Sequence, residues 1–214
     1  MSRILLIAFG AVTAVHLITL AVGGDASVSK FLLMPALAAW VLSKNGPKLI
    51  VFALLASAVG DIALEFEDLF LVGMGGFAVA HILYVTYFVR RGALENRTRV
   101  LPMGLLVGIS ATALVVAVWP NLPDLQIPIA VYAALLAATA ITSYGVNTVA
   151  GLGGVLFLAS DAILALRMAE LLSSDLNGLW VMVPYILGQY LLVIGAMGAQ
   201  ERENPSPQLA TPQH

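Results

Sequence analysis

Asp61 and Asp161 each interrupt a long apolar run, positions where an ionisable side chain is costly in a bilayer and is therefore a functional candidate by default. His81 and His16 lie inside two further apolar runs, and Lys30 stands at the edge of another. Reckoned at the helical rise, both aspartates sit about 18 to 20 Å above the starting ends of their segments, which run in the same direction. His81, on a segment running the other way, sits about 12 Å above that same level. Two carboxyl groups at one depth suit acid–base chemistry. Taken out of water, a carboxyl group favours its neutral form, and a second carboxylate nearby reinforces that, so a pair can hold one proton at neutral pH. One member then donates the proton, while the other, ionised, steadies positive charge or deprotonates water.

Each residue also has a plainer role. A lone intramembrane Asp serves as hydrogen-bonding glue between helices, but two at matched depth favour a shared site. His81 alone reads as a satisfied core histidine, and His16, with Thr13 and Thr19 three residues to either side, as polar packing. Lys30 fits a snorkelling anchor, although its place near the aspartates also makes it a candidate contact for a headgroup phosphate. Gly73, Gly75 and Gly76 read as close helix packing. They lack the strand and the Lys that a phosphate cradle needs. Tyr84 lies one turn from His81, Tyr185 and Gln189 are four apart, Tyr132 is mid-segment, Ser57 lies one turn before Asp61, and Ser160 adjoins Asp161. Such groups need partners in an apolar interior, which predicts one polar cavity lined by the second, third, fourth, sixth, seventh and eighth segments.

The elements that must hold these residues are membrane helices. The 214 residues are 60% hydrophobic, with only 10 Lys+Arg and 12 Asp+Glu, and the mean hydropathy is +0.96. Apolar runs repeatedly reach the length that crosses a bilayer, so the fold class is all-α, a polytopic transmembrane bundle of about eight spans. The spans are expected at 3–22, 29–44, 48–65, 69–89, 100–118, 126–144, 149–167 and 178–198, in a single domain over 1–200, with a disordered cytoplasmic tail over 201–214. An alternative for the first run is a signal peptide, since Arg3 precedes it and small residues end it. Basic residues alternate between loops: Arg3, Lys44, Lys48, Arg90, Arg91, Arg97, Arg99 and Arg202 fall on one side, and only Lys30 and Arg167 fall on the other. The positive-inside rule then puts both termini in the cytoplasm, as in a protein of a bacterial cell membrane. Asp25, Glu65, Glu67, Asp68, Asp124, Glu170 and Asp175 occupy the opposite loops. The absence of cysteine excludes disulfides and thiolate chemistry, and a net charge of −2 gives no reason to expect a nucleic-acid partner.

Five short stretches in order resemble the YhhN-like membrane proteins, whose characterised animal relatives are lysoplasmalogenases. They are KFLLMP at 30–35, GDIAL at 60–64, GGFAVAHILY at 75–84, LFLASDAILA at 156–165 and YILGQYLLV at 185–193. One departure is Phe31, which stands where the family usually has a proline after the lysine. The resemblance implies an eight-helix membrane hydrolase that needs no cofactor. It would cleave the vinyl ether bond of a lysoplasmalogen, a lysophospholipid drawn from membrane lipid, to a fatty aldehyde and a glycerophospho-alcohol. It also implies that Asp61 and Asp161 are the catalytic pair, with His81, Tyr84, Tyr132, Tyr185, Gln189 and Lys30 as supporting or substrate-binding residues. Other classes draw on the same residues: a lipid hydrolase with zinc held by His81, Asp61 and Asp161, a proton-coupled transporter, or a structural protein. Against transport, 57–66 and 157–166 share only the Asp and the Leu three residues on, so no inverted repeat is visible.

Overall fold

A computed structural model describes residues 1–173 and 178–203. The described residues form eight α-helices: α1 Ser2–Ala21, α2 Ser27–Ser43, α3 Lys48–Ala63, α4 Phe70–Arg90, α5 Arg97–Val118, α6 Gln126–Val146, α7 Thr148–Met168 and α8 Leu179–Glu203. Each helix coincides with one expected span to within a few residues at its start. Short 3₁₀ turns link α3 to α4, α4 to α5 and α5 to α6. With their flanking turns, six helices are long and apolar enough to cross a membrane, all but α2 and α3. Those two have 17 and 16 residues, about 25 Å at the helical rise. The chain is an integral membrane protein built as an all-α bundle. α8 continues to Glu203, three residues into the stretch expected to be tail. The rest of that stretch, and Asp175, lie outside the described residues.

Consecutive helices pack as antiparallel neighbours except α4 and α5, which instead both lie against α6. Two seams are tight. On α3 and α4 a Cβ placed at Gly76 would stand 2.8 Å from the Gly60 nitrogen. On α7 and α8 a Cβ at Gly153 would stand 2.5 Å from the Leu192 nitrogen, and one at Gly188 would stand 2.9 Å from the Gly153 carbonyl oxygen. Only glycine lets these backbones approach so closely, the main source of helix association where lipid offers no hydrophobic drive. Gly75, between the packed Gly73 and Gly76, faces open space. Asn147 closes the base of the α7–α8 seam: its side chain caps the amide of Ala150 at 2.9 Å and donates to the Gly195 carbonyl at 2.9 Å. α1 packs mainly on α2, where the His16 Nδ1 lies 3.0 Å from the Ser29 hydroxyl.

Candidate functional site

At the end of the bundle where α3 finishes and α4 begins, the helices part around a cavity of about 540 Å³. Asp61 from α3 and Asp161 from α7 both face it, with Tyr132 from α6, Tyr185 from α8, Ser160 from α7 and Lys30 from α2. Apart from Glu67, the remaining wall is apolar and aromatic, including Phe66, Phe70, Met74, Phe77, Leu114, Ile129, Leu136, Leu164, Met168 and Met182. The six segments expected to line a shared cavity all do so, and α5 adds Leu114.

Each aspartate is held by a tyrosine from another helix. Tyr185 donates its hydroxyl to Asp61 Oδ2 at 2.6 Å, and Tyr132 donates to Asp161 Oδ2. The two surroundings differ. Asp61 is almost wholly buried, 2% exposed, and its tyrosine belongs to a larger network. Gln189 donates to Ser57 Oγ at 2.9 Å and, over 3.5 Å, to the Tyr185 hydroxyl, while its carbonyl oxygen accepts from Tyr84 at 2.6 Å. Four polar side chains from three helices thus satisfy one another around the carboxylate, as buried polar groups must. Asp161 is only half-buried. Ser160 beside it turns away to the Val181 carbonyl at 2.9 Å, tying α7 to α8.

Tyr84, Gln189 and His81 stand behind the wall, not on it. The expectation that the cavity itself satisfies them is corrected: packing brings their hydrogen-bonding partners from neighbouring helices. His81 lies one turn below Phe77, and its ring centroid is 5.6 Å from that of Tyr132 and 4.6 Å from that of Phe157. Thr139 Oγ1 donates to the Leu135 carbonyl at 3.1 Å, so it accepts from His81 Nδ1–H at 3.0 Å. That fixes the tautomer and leaves the lone pair of the buried Nε2 without a partner among the described residues. Because His81 bonds α6 and does not line the cavity, the zinc arrangement with both aspartates lacks its histidine. Among the described residues no group of three or more metal-ligating side chains comes together. His16 lies on α1, away from this site, against Ser29 and the Ala26 carbonyl.

Lys30 reaches the cavity rim, where its Nζ meets Glu65 Oε1 at 2.7 Å. The Ser27 hydroxyl lies 2.7 Å from both Glu65 Oε2 and Asp25 Oδ1. Burial pushes the Glu65 carboxyl up, but its hydrogen bonds to Lys30 and Ser27 and the Lys30 charge outweigh that and hold it below the usual glutamate range. Hydrogen bonds from the Ser27 side chain and backbone likewise hold the exposed Asp25 low. Reasoning from sequence placed Glu65 and Glu67 among loop acids, whereas Glu65 is the partner of Lys30 and Glu67 lines the cavity. The available signal was local: Glu65 follows Asp61 by one turn, and Lys30 opens the neighbouring helix at the same end.

The model of the YhhN family matches residues 26–196. The chain belongs to the YhhN family. The matched region of this YhhN protein runs from just before α2 well into α8, so it contains the whole cavity and excludes α1. Similar curated proteins are named lysoplasmalogenase TMEM86B. The human protein is 33% identical over 162 residues, 74% of this chain and 68% of its own length. The rat protein is 31% identical over 163 residues, 74% of this chain and 66% of its own. The pig protein is 34% identical over 113 residues, 53% of this chain and 48% of its own. No solved structure matches the chain significantly.

Proposed function

We propose that this YhhN protein is a lysoplasmalogenase, hydrolysing the vinyl ether bond of a single-chain ether phospholipid held in the cavity between α3 and α7. The observation that carries this is that Asp61 and Asp161, from different helices, face one apolar cavity, each hydrogen-bonded by its own tyrosine. The relatives named lysoplasmalogenase support the same reading.

The chemistry needs little else. A vinyl ether breaks when a proton is added to its β-carbon, leaving an oxocarbenium ion. Water adds to that ion, and the hemiacetal collapses to a fatty aldehyde and a glycerophospho-alcohol. One carboxyl group of the pair supplies the proton; the other, as carboxylate, stabilises the cation and takes a proton from the attacking water. The tyrosines fix where the carboxyl oxygens point, and the dry apolar wall keeps the electrostatics strong. The alkenyl chain lies among Phe77, Met74, Leu136 and their neighbours, with the headgroup toward Lys30. The distribution of basic residues between loops supports cytoplasmic termini and a cavity end at the opposite face, an orientation in which substrate would enter from the outer leaflet.

The test is aldehyde release by purified protein given a lysoplasmalogen, its saturated alkyl-ether analogue and its acyl analogue. Only the vinyl ether should be cleaved. Asp61→Asn and Asp161→Asn should each lose nearly all turnover while eluting as a folded protein. Full turnover in either variant refutes the paired-carboxyl mechanism, and hydrolysis of the acyl analogue at equal rate refutes the substrate class.

A further inference from the structure

At the cavity rim a lysine and a glutamate satisfy each other with little protein on their outer side. The side chains of Lys30 and Glu65 are 17% and 27% exposed. Lys30 is the sole cationic side chain among the described residues lining the cavity, and Glu67 lines it as well. The pair joins the first turn of α2 to the chain just beyond α3, and Glu65 is one turn past Asp61, about 6 Å along the axis. Anything that puts its reactive bond at Asp61 therefore has its next polar group beside this pair.

We infer that Glu65 determines headgroup specificity: the Lys30–Glu65 pair opens to take a phosphate joined to an ammonium, Lys30 receiving the phosphate and Glu65 the ammonium. This rests on the reading of the cavity as a lysolipid site. A partly exposed ion pair contributes little, so opening it is easy. What matters is what replaces it. A zwitterionic headgroup returns one opposite charge to each member, and no charge at the rim is left unpaired. An anionic headgroup, such as phosphoglycerol, satisfies Lys30 but strips Glu65 of its cation, leaving its carboxylate with that of Asp25 across the Ser27 hydroxyl and with those of Glu67 and Asp68 close by in the chain. That like-charge surplus acts against the wrong headgroup. Glu65 is suited to the task because the Ser27 hydroxyl, 2.7 Å from its second oxygen, holds the carboxylate in place when Lys30 leaves.

The experiment is equilibrium binding of two uncleavable 1-O-alkyl lysophospholipids, one with an ethanolamine and one with a glycerol headgroup, to the full-length protein in nanodiscs. Wild type should favour the ethanolamine lipid by about tenfold or more. Glu65→Gln should reduce that preference to near unity by weakening the ethanolamine lipid, and Glu65→Asp, which keeps the charge, should retain part of it. Lys30→Gln should weaken both lipids together. No preference in wild type, or a preference unchanged in Glu65→Gln, overturns the inference. Because neither lipid can be cleaved, the outcome is separate from the activity test. Vinyl ether cleavage without headgroup preference would sink this inference and leave the activity standing, whereas failure to bind either lipid would sink both.

Discussion

Tyr185→Phe removes one oxygen and keeps the ring, which packs edge-on to Phe77 and Phe157 at centroid distances of 5.9 and 5.3 Å. What is lost is the 2.6 Å hydrogen bond to Asp61 Oδ2 and the acceptor for the longer Gln189 contact. A hydrogen bond to an ionised group is worth about 1.5 to 3 kcal/mol. Asp61 is 2% exposed, so bulk water does not readily replace the missing donor. If the carboxylate form of Asp61 takes part in the rate-limiting step, that energy appears in the barrier, and kcat/KM should fall about 10- to 150-fold. Aldehyde release coupled to an aldehyde dehydrogenase measures it. Tyr87→Phe is the matched control, deleting the same oxygen from a buried tyrosine that bonds the Ala196 carbonyl at 2.7 Å and does not line the cavity. A Tyr185→Phe protein that is folded and no slower than Tyr87→Phe would refute the assignment of Tyr185 as the group that positions Asp61.

Gly153→Ala forces a methyl group to within 2.5 Å of backbone at Leu192. It should lower stability by about 1 to 3 kcal/mol, read as an earlier thermal transition, while Gly75→Ala, with nothing within 4 Å, should not destabilise. Thr139→Val leaves the His81 Nδ1–H without its acceptor and should cost about 1 to 3 kcal/mol by the same measurement. Stability that Glu65 contributes is present above the usual glutamate range and lost as pH falls through its lowered value, because its folded form binds protons less readily. Thermal transitions of wild type and Glu65→Gln should therefore differ near neutral pH and converge in acid.

Depth was legible in the sequence because it needs only a count of residues and the helical rise. This is why Asp61 and Asp161, chosen for equal depth, do share a cavity. Azimuth was not legible. In a soluble helix the apolar stripe marks the inward face, but here lipid and protein interior are equally apolar, and the periodicity that would orient a side chain vanishes. Tyr84 and Gln189 accordingly read as cavity residues when they face one another behind its wall. The same limit applied to His81, whose ring turns to Thr139 and not to the aspartates. Lys30 was read as a residue at the edge of its segment and Glu65 as a loop acid, and their pairing depends on α2 and α3 lying side by side, which no local pattern encodes.

The glycine seams have a consequence for how such a protein can diverge. Along α3–α4 at Gly76 and along α7–α8 at Gly153 the spacing is set by backbone against backbone, so the carrier helices of the two acids are each clamped to a neighbour; of the side chains that line the cavity, Phe77 and Leu64 also pack into the α3–α4 seam, over Gly60 and Gly73. Wall positions away from the seams, such as Met74, Leu136 and Leu164, can change size and reshape the cavity while the backbone clamps at Gly76 and Gly153 stay as they are. The shape of the cavity is thereby separable from the placement of the helices that carry Asp61 and Asp161.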